Sequence, residues 1–427
     1  MLGVFRPRQQ ASTVVAEHSP LGAELFPPQL PGQRSAPVVE GRKGGLVPPY
    51  AVIACSAVFF WSISIRVMVY TVMPTIANDL RLSSSAAGLA IAGMLLGYCA
   101  GSWLAGRIPA SRKNRILGGI LLSLLGTVLF SMAGSLEFLL GAGVLLGLGT
   151  GVYLPLGLSL VVEAGGTSRG AYYLSLHEIA ATAASFTGAS SLALILLWTD
   201  WQGSLRGWCG VGLLALLAFA MVRDDGLMTE GRSSPVRSVP FDWRLIRVCV
   251  TYGVSTLLVM GLISMLPLIM VRAWGVDQAE AASVVGSTRL AGALGVIAVG
   301  LLGDRWGHIR VLIGLQSLCV IGLLIMSLGG YGSLFSLGLV TLAAGASGYV
   351  GLAPALVAAP YPATQKEQAM VVANAVGGFM GLVIAPALFG VLIDLELATG
   401  PLLLALAAAV VSMVVTSRSR SGASGGD

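Results

Sequence analysis

Four ionisable side chains lie inside long apolar stretches of the chain: Arg66, His177, Glu178 and Arg289. If these stretches cross a membrane, each charge costs at least about 2.5–3.5 kcal/mol to insert, so such residues are candidates for function. The guanidinium group matches carboxylate and phosphate groups in geometry, and we therefore predict that Arg66 and Arg289 bind an anionic ligand. The alternative for each arginine is an internal salt bridge, with Glu178 or a loop acid as its partner.

His177 and Glu178 are adjacent and suggest proton transfer. Carboxyl and imidazole groups can both carry a proton near neutral pH when their surroundings favour it. Neighbouring positions on a helix lie about 100° apart, so one side chain can face a cavity while the other faces a neighbouring helix. We predict a proton-coupling role for both residues and a substrate-binding role for His177. The alternative is a buried hydrogen bond between helices.

The elements that position these residues are predicted to be membrane-spanning helices. Of the 427 residues, 56% are hydrophobic and only 10% are charged, whereas soluble domains carry about 25% charged residues. A spanning helix needs about 20 apolar residues. The sequence predicts an all-α polytopic membrane protein with twelve spans, near residues 50–74, 84–106, 114–134, 137–162, 171–198, 205–222, 246–271, 280–303, 309–329, 333–358, 368–394 and 399–417.

The polar segments divide the chain. Residues 1–46 are predicted to be a disordered cytoplasmic tail, because they contain several prolines and no apolar run. The polar segment 223–245 is predicted to be a cytoplasmic linker between two six-helix bundles, 47–222 and 246–417, and residues 418–427 a second cytoplasmic tail. The five cysteines fall inside apolar stretches without the spacing of a zinc site or a disulfide framework, so no metal or cofactor is predicted.

Lysine and arginine are distributed unevenly between the two sides of the predicted membrane. Outside the spans, only Arg81, Arg206 and Arg272 lie on one side, and all the others lie on the side of the termini. Basic residues favour the cytoplasmic side. This predicts two cytoplasmic termini and a multi-pass protein of a bacterial inner membrane. The net charge of +6 follows this bias and does not indicate nucleic-acid binding.

The two predicted bundles repeat one another at an offset near 198 residues. Gly106-Arg107 corresponds to Asp304-Arg305, and Gly151 corresponds to Gly348. Parallel repeats of this kind place a binding site between the halves near the middle of the membrane.

The repeat adds candidates for that site. It takes His177 to Asn374 and pairs Tyr153 with Tyr349, so we predict that these residues bind substrate together with the two arginines. The alternative for each tyrosine is packing. Two further aromatic candidates for the cavity wall are Tyr70 and Tyr252.

Over residues 48–417 the chain resembles the major facilitator superfamily. The resemblance rests on Met73–Leu80 at the end of span 1, on Gly300–Arg310 between spans 8 and 9, and more weakly on Trp201–Arg206. The second stretch is similar to the signature loop of the family. The first-half copy departs from it, with Gly106 in place of the acid and Pro109 in the turn.

The signature loop implies a conformational role rather than a role in binding. By the resemblance, Asp304, Arg305, Gly307 and Arg310 form a latch between cytoplasmic helix ends. The alternative is ordinary basic loop charge on the cytoplasmic side. The chain lacks the arginine of span 4 and the Gly-Pro pair of span 5 that are typical of proton-driven drug exporters in this family.

Together these features predict a secondary active transporter of a small organic anion, working by rocker-switch alternating access with proton symport as an option. The alternatives are efflux of amphipathic drugs and transport of a metal or metal chelate. An enzyme or receptor is not expected, because the sequence contains no Walker loop, Gly-x-Ser-x-Gly elbow or His-Glu-x-x-His motif. The expected partners are the solute, the lipid bilayer and protons. The protein is predicted to be a monomer.

Overall fold

The computed structural model describes residues 49–196, 198–222, 242–358, 361 and 363–421. The predicted tail 1–46, most of the predicted linker 223–245 and residues 422–427 of the second tail lie outside the described residues. Within some helices only the backbone is described, which includes Asp304 and Asn374.

The described part of the chain is helical and contains no strand. Its helices are α1 (Pro49–Asp79), α2 (Ser84–Leu104), α3 (Arg112–Phe130), α4 (Leu136–Ile195), α5 (Trp201–Ala220), α6 (Trp243–Thr256), α7 (Ile263–Trp274), α8 (Gln278–Trp306), α9 (His308–Gly329), α10 (Ser333–Ala358), α11 (Ala363–Gly378), α12 (Ala385–Asp394) and α13 (Gly400–Ser421). Two π-helical segments, Leu257–Leu262 and Phe379–Ile384, join α6 to α7 and α11 to α12.

Helix α4 is a hairpin of two arms. Its 60 residues would form a rod about 90 Å long if straight. Tyr153 and His177 are 24 positions apart, yet their side chains are hydrogen-bonded at 2.9 Å. The chain therefore turns back between these two residues. The predicted loop between spans 4 and 5 instead has helical backbone, so polar composition alone gave the wrong local structure there.

Counting the two arms of α4 separately, and each π-joined pair as one helix, gives twelve spans and confirms the predicted fold class. Ten described helical segments are long and apolar enough to cross a membrane on their own. Some boundaries differ from the prediction. Helix α1 continues past Pro74 to Asp79, because Ile76 and Ala77 are fully buried there, and α5 begins at Trp201, because the Asp200 side chain caps its first turn.

The two halves repeat one another in their hydrogen bonds. The Tyr153 hydroxyl donates to the carbonyl of Cys55 at 2.6 Å, and the Tyr349 hydroxyl donates to the carbonyl of Thr251 at 2.7 Å. Each tyrosine lies 98 residues after its acceptor. The two bonds are thus displaced by 196 residues, which refines the predicted offset near 198.

The halves meet at one end of the bundle. We call this end the distal face: it carries the α1–α2, α3–α4, α4–α5, α7–α8, α9–α10 and α12–α13 connections, and the first and last described residues lie at the opposite, terminal face. Across the halves α1 packs on α7 and α8, α2 packs on α7 and α12, and α4 packs on α8. A Cβ atom on Gly88 would collide with the carbonyl of Pro386, so α2 and α12 are in backbone contact. The structure is therefore closed at the distal face.

Candidate functional site

Arg66 lies near the middle of α1 and is buried, with 4% of its surface exposed. Its Nε donates to the carbonyl of Ser62 at 3.1 Å, one turn earlier. The centre of its guanidinium group lies 4.3 Å from the centroid of the Tyr98 ring. Among the described side chains no carboxylate lies within ion-pair distance of it, so the predicted alternative of a salt bridge with Glu178 does not form here.

Arg289 of α8 approaches from the other half. Its Nε is buried and has no hydrogen-bond partner among the described residues, and the same is true of the Tyr70 hydroxyl. Tyr70 lies within electrostatic range of both Arg66 and Arg289, and the two guanidinium groups lie within range of each other. The structure thus brings together two cations from opposite halves, Arg66 buried and Arg289 half-buried, without a described counter-ion. Burying unpaired charge is costly.

Aromatic side chains of the first half lie beside these cations: Tyr98 contacts Arg66, and Tyr70 lies within electrostatic range of both arginines. Tyr98 of α2 and Tyr252 of α6 interact across the boundary between the halves, beside Cys99. The sequence analysis identified Tyr70 and Tyr252 as candidates for the wall of the binding cavity but did not identify Tyr98. A usable signal was present, because a buried arginine without an acid needs another partner and an aromatic face is a suitable one.

His177 and Glu178 point in different directions, as their adjacency on a helix requires. His177 is fully buried: its Nε2 is hydrogen-bonded to the Tyr153 hydroxyl at 2.9 Å and its ring stacks on Phe59 at 4.2 Å. Its Nδ1 has no hydrogen-bond partner among the described residues and lies 3.8 Å from a carboxylate oxygen of Glu178. The Glu178 side chain is 55% exposed and lies within electrostatic range of Tyr98 and Tyr153.

Tyr153 and Tyr349 use their hydroxyl groups inside the bundle. In addition to the carbonyl bonds, the Tyr153 hydroxyl contacts His177, and the Tyr349 hydroxyl contacts the hydroxyl of Ser412 at 2.5 Å. Both tyrosines are almost completely buried. These contacts favour packing over ligand binding for the pair. The side chain of Asn374 lies outside the described residues, so its predicted role stays a prediction.

The predicted latch lies at the terminal face between α8 and α9. Gly307 has φ of 79°, a left-handed conformation that favours glycine, and it forms the turn between the two helices. Arg305 and Arg310 are exposed, and the side chain of Asp304 lies outside the described residues. The latch therefore stays a prediction.

The first-half copy of the signature loop contains an ion pair that the sequence analysis did not assign. Arg112 contacts Glu163 through one nitrogen at 2.8 and 3.0 Å and so ties α3 to the first arm of α4. Among the described residues no group of three His, Cys, Asp or Glu side chains could hold a metal ion.

Comparison with known proteins identifies the fold. The profile of the Major Facilitator Superfamily matches residues 51–254 and 248–423, once for each half. The structure is similar to an inward-facing, occupied bacterial homolog of the human lysosomal transporter Spinster (14% identity, TM-score 0.71, 86% of this chain and 95% of that one). It is also similar to a mutant form of the nucleoside transporter NupG (10% identity, TM-score 0.73, 86% and 99% covered) and to the D-xylose-proton symporter (12% identity, TM-score 0.72, 86% and 96% covered). No curated protein sequence matches the chain.

Proposed function

Because the chain belongs to the major facilitator superfamily, and is therefore a transporter rather than an enzyme, we propose that it is a secondary active transporter of a small organic anion. The observation that carries this proposal is the pair of arginines Arg66, which is buried, and Arg289, whose Nε is buried; they come from opposite halves and lack a described carboxylate partner. Two such cations in a membrane interior favour an anion between them.

The position of the two arginines links binding to movement. An anion that contacts both guanidinium groups interacts with both halves at once, and this contact is lost when the halves separate around it. The anion then binds the two conformations with different affinity, which is the condition for any ligand-driven conformational change. Rocker-switch movement of the bundles 47–222 and 246–417 follows naturally from this arrangement.

Proton coupling is assigned to His177 and Glu178. His177 has one free ring nitrogen 3.8 Å from the Glu178 carboxylate, and Glu178 is half exposed. A proton taken up by Glu178 reduces negative charge within electrostatic range of the tyrosine that contacts Arg66. Protonation therefore strengthens the hold on an anion, as symport requires.

The positive-inside bias places the terminal face in the cytoplasm of a bacterial inner membrane. The closed distal face then faces outwards, and the conformation described here is the inward-facing one. The site is formed within one chain, which supports a monomer. Asp304, Arg305, Gly307 and Arg310 are the proposed latch of the outward-facing conformation.

The test is a thermal-shift screen of the purified protein against benzoate, succinate, inorganic phosphate, xylose and the cationic dye ethidium. At a ligand concentration of 100 times Kd, binding stabilises a protein by about 2.7 kcal/mol. We expect one of the three anions to raise Tm, Arg66→Ala and Arg289→Ala to abolish the rise, and Arg206→Ala to keep it. Arg206 is the matched control because its guanidinium group is hydrogen-bonded to Ser131 at the distal face.

Flux of the stabilising anion into proteoliposomes at two pH values then tests coupling. Stabilisation by xylose alone, unaffected by either arginine substitution, would contradict the anion assignment. Efflux of organic cations is the second candidate, favoured by the exposed Glu178 carboxylate, which has no Lys or Arg partner among the described residues. A Tm rise with ethidium that is lost in Glu178→Gln would support it.

A further inference from the structure

Arg66 is held on two sides. Its Nε is bonded to the Ser62 carbonyl, and its flat face lies over the Tyr98 ring. Ser62 and Tyr98 are themselves fixed by α4. The Ser62 hydroxyl reaches the carbonyl of Thr150 at 3.5 Å, and the close packing of Gly151 against the Tyr98 carbonyl leaves no room for a side chain between the helices.

This support leaves one edge of the guanidinium group available. The hydrogen bond of Arg66 to a described residue is made by Nε and not by the two terminal nitrogens. The terminal edge is the one that grips a carboxylate or phosphate with two parallel hydrogen bonds. Arg66 lies within electrostatic range of Arg289 of the other half, and Tyr98 within range of Tyr252, so the guanidinium group lies near the boundary between the halves.

We propose that Tyr98 is the positioning residue of the anion site: its ring fixes the plane of the Arg66 guanidinium group so that the terminal edge binds the ligand end-on. The proposal rests on the function proposed above. It defines the ligand group as a planar or tetrahedral oxyanion bound through two oxygens. Because the face of the Tyr98 ring is covered by Arg66, the ring is not a stacking surface for the solute.

The test compares Tyr98→Leu with Tyr98→Phe by thermal-shift titration with benzoate, succinate and inorganic phosphate. Tyr98→Leu removes the cation–π contact that fixes the guanidinium plane, and we expect it to weaken anion affinity about tenfold or more. Tyr98→Phe keeps the ring and should stay within about twofold of the parent. The matched control is Trp103→Leu. Trp103 lies on α2 like Tyr98 but outside the site, and the centroid of its ring is 3.8 Å from the guanidinium centre of Arg107.

A double-substitution cycle separates positioning from packing. In an Arg66→Ala background, where the anion-induced rise of Tm is expected to be lost, adding Tyr98→Leu should neither restore nor further change the response to anions. If Tyr98→Leu binds anions as the parent does while Arg66→Ala does not, the positioning role is refuted and the anion carrier stands. If Arg66→Ala also leaves affinity unchanged, both proposals are refuted.

A second inference comes from the distal face, where a residue of one half caps a helix of the other. The carboxylate of Asp394, the last residue of α12, accepts hydrogen bonds from the backbone N–H groups of Ser84 at 2.7 Å and Ser85 at 2.8 Å. These are the first N–H groups of α2, which a helix cannot satisfy itself. The Ser83 side chain caps the next one, on Ala86, at 3.1 Å.

Other aspartates at the distal face cap helices of their own half. Asp200 accepts from Gly203 of α5 at 2.6 Å, and Asp277 accepts from Ala279 of α8 at 2.9 Å. Asp394 differs because the helix that it caps must move away when the distal face opens. We infer that Asp394 is a latch that stabilises the closed distal face through the positive end of the α2 dipole.

The proposed role of Asp394 can be tested by measuring distances between nitroxide labels attached at Gly134→Cys and Gly332→Cys. These positions lie at the distal face of opposite halves, and both are exposed with open space for a side chain. A carboxylate at a helix N-terminus contributes about 0.3–1 kcal/mol, so Asp394→Asn should lower the ratio of closed to open conformations about two- to fivefold. Asp394→Glu, which keeps the charge, should retain most of it.

The matched control is Asp200→Asn, which removes the same kind of cap without crossing between halves. An unchanged distance distribution in Asp394→Asn would refute the role of Asp394 in closing the distal face. An equal shift in Asp200→Asn would show that loss of any cap loosens this face, which would refute it as well.

Discussion

The absence of a described counter-ion at Arg289 predicts an unusual response to Arg289→Met. Methionine is unbranched, similar in volume and uncharged, so the substitution removes a half-buried cation whose buried Nε has no described partner and which lies within electrostatic range of Arg66. Replacing buried ionic groups by apolar residues of similar volume stabilises proteins by about 1–4 kcal/mol, and insertion of arginine at mid-membrane costs about 2.5–3.5 kcal/mol. We expect the ligand-free variant to be more stable than the parent by about 2 kcal/mol, while it loses anion binding.

The assay is reversible unfolding of the purified, ligand-free protein in mixed micelles, followed by helical circular dichroism. Arg206→Met is the comparison, because its guanidinium group donates to the Ser131 hydroxyl at 3.1 Å and to the Ser131 carbonyl at 3.3 Å. Breaking these bonds should lower stability by about 1 kcal/mol. The two substitutions are thus expected to have opposite signs. If Arg289→Met destabilises the ligand-free protein as Arg206→Met does, Arg289 has a structural partner and the argument for an anion site is wrong.

Three further predictions follow from single residues. Tyr349→Phe should lower the free energy of unfolding by about 1–2 kcal/mol, because it removes the buried hydrogen bonds of the hydroxyl to the Thr251 carbonyl and to Ser412, and anion affinity should not change; a large affinity loss with unchanged stability would restore its predicted role as a ligand. Glu178→Gln should remove the pH dependence of anion uptake in proteoliposomes, and pH dependence equal to that of the parent would contradict its coupling role. Gly307→Ala should cost about 1–3 kcal/mol of stability because of the left-handed backbone, measured by the same unfolding assay, and an unchanged midpoint would be the contrary result.

The fold followed from the sequence because its main signals are local. Apolar length predicts spans, and the repeat of Tyr153 and Tyr349 indicates two halves before any contact is known. The sequence predicted a connection between spans 4 and 5, and the chain turns back between Tyr153 and His177, but the helical backbone of this connection was not predicted. Composition shows which segments are polar. The path of the backbone between the two arms of α4 also depends on contacts such as the hydrogen bond between Tyr153 and His177.

The site was less predictable, because it depends on contacts between distant segments. The sequence identified Arg66 and Arg289 as unusual, but it could not separate a salt bridge from a free cation, since that depends on which helix lies opposite. Tyr98 lies in an apolar run like many other aromatic residues, and Asp394 is only the last residue of the predicted span 368–394. Only the packing of α2 against α1 and α12 gives these two residues their contacts.

The matching bonds of Tyr153 and Tyr349 also bear on how the protein moves. Each hydroxyl fastens a helix to the first helix of its own half near the terminal face, so neither half can spread there without breaking a buried bond. The duplicated tyrosine therefore stiffens each half, and movement is expected at the contacts between the halves.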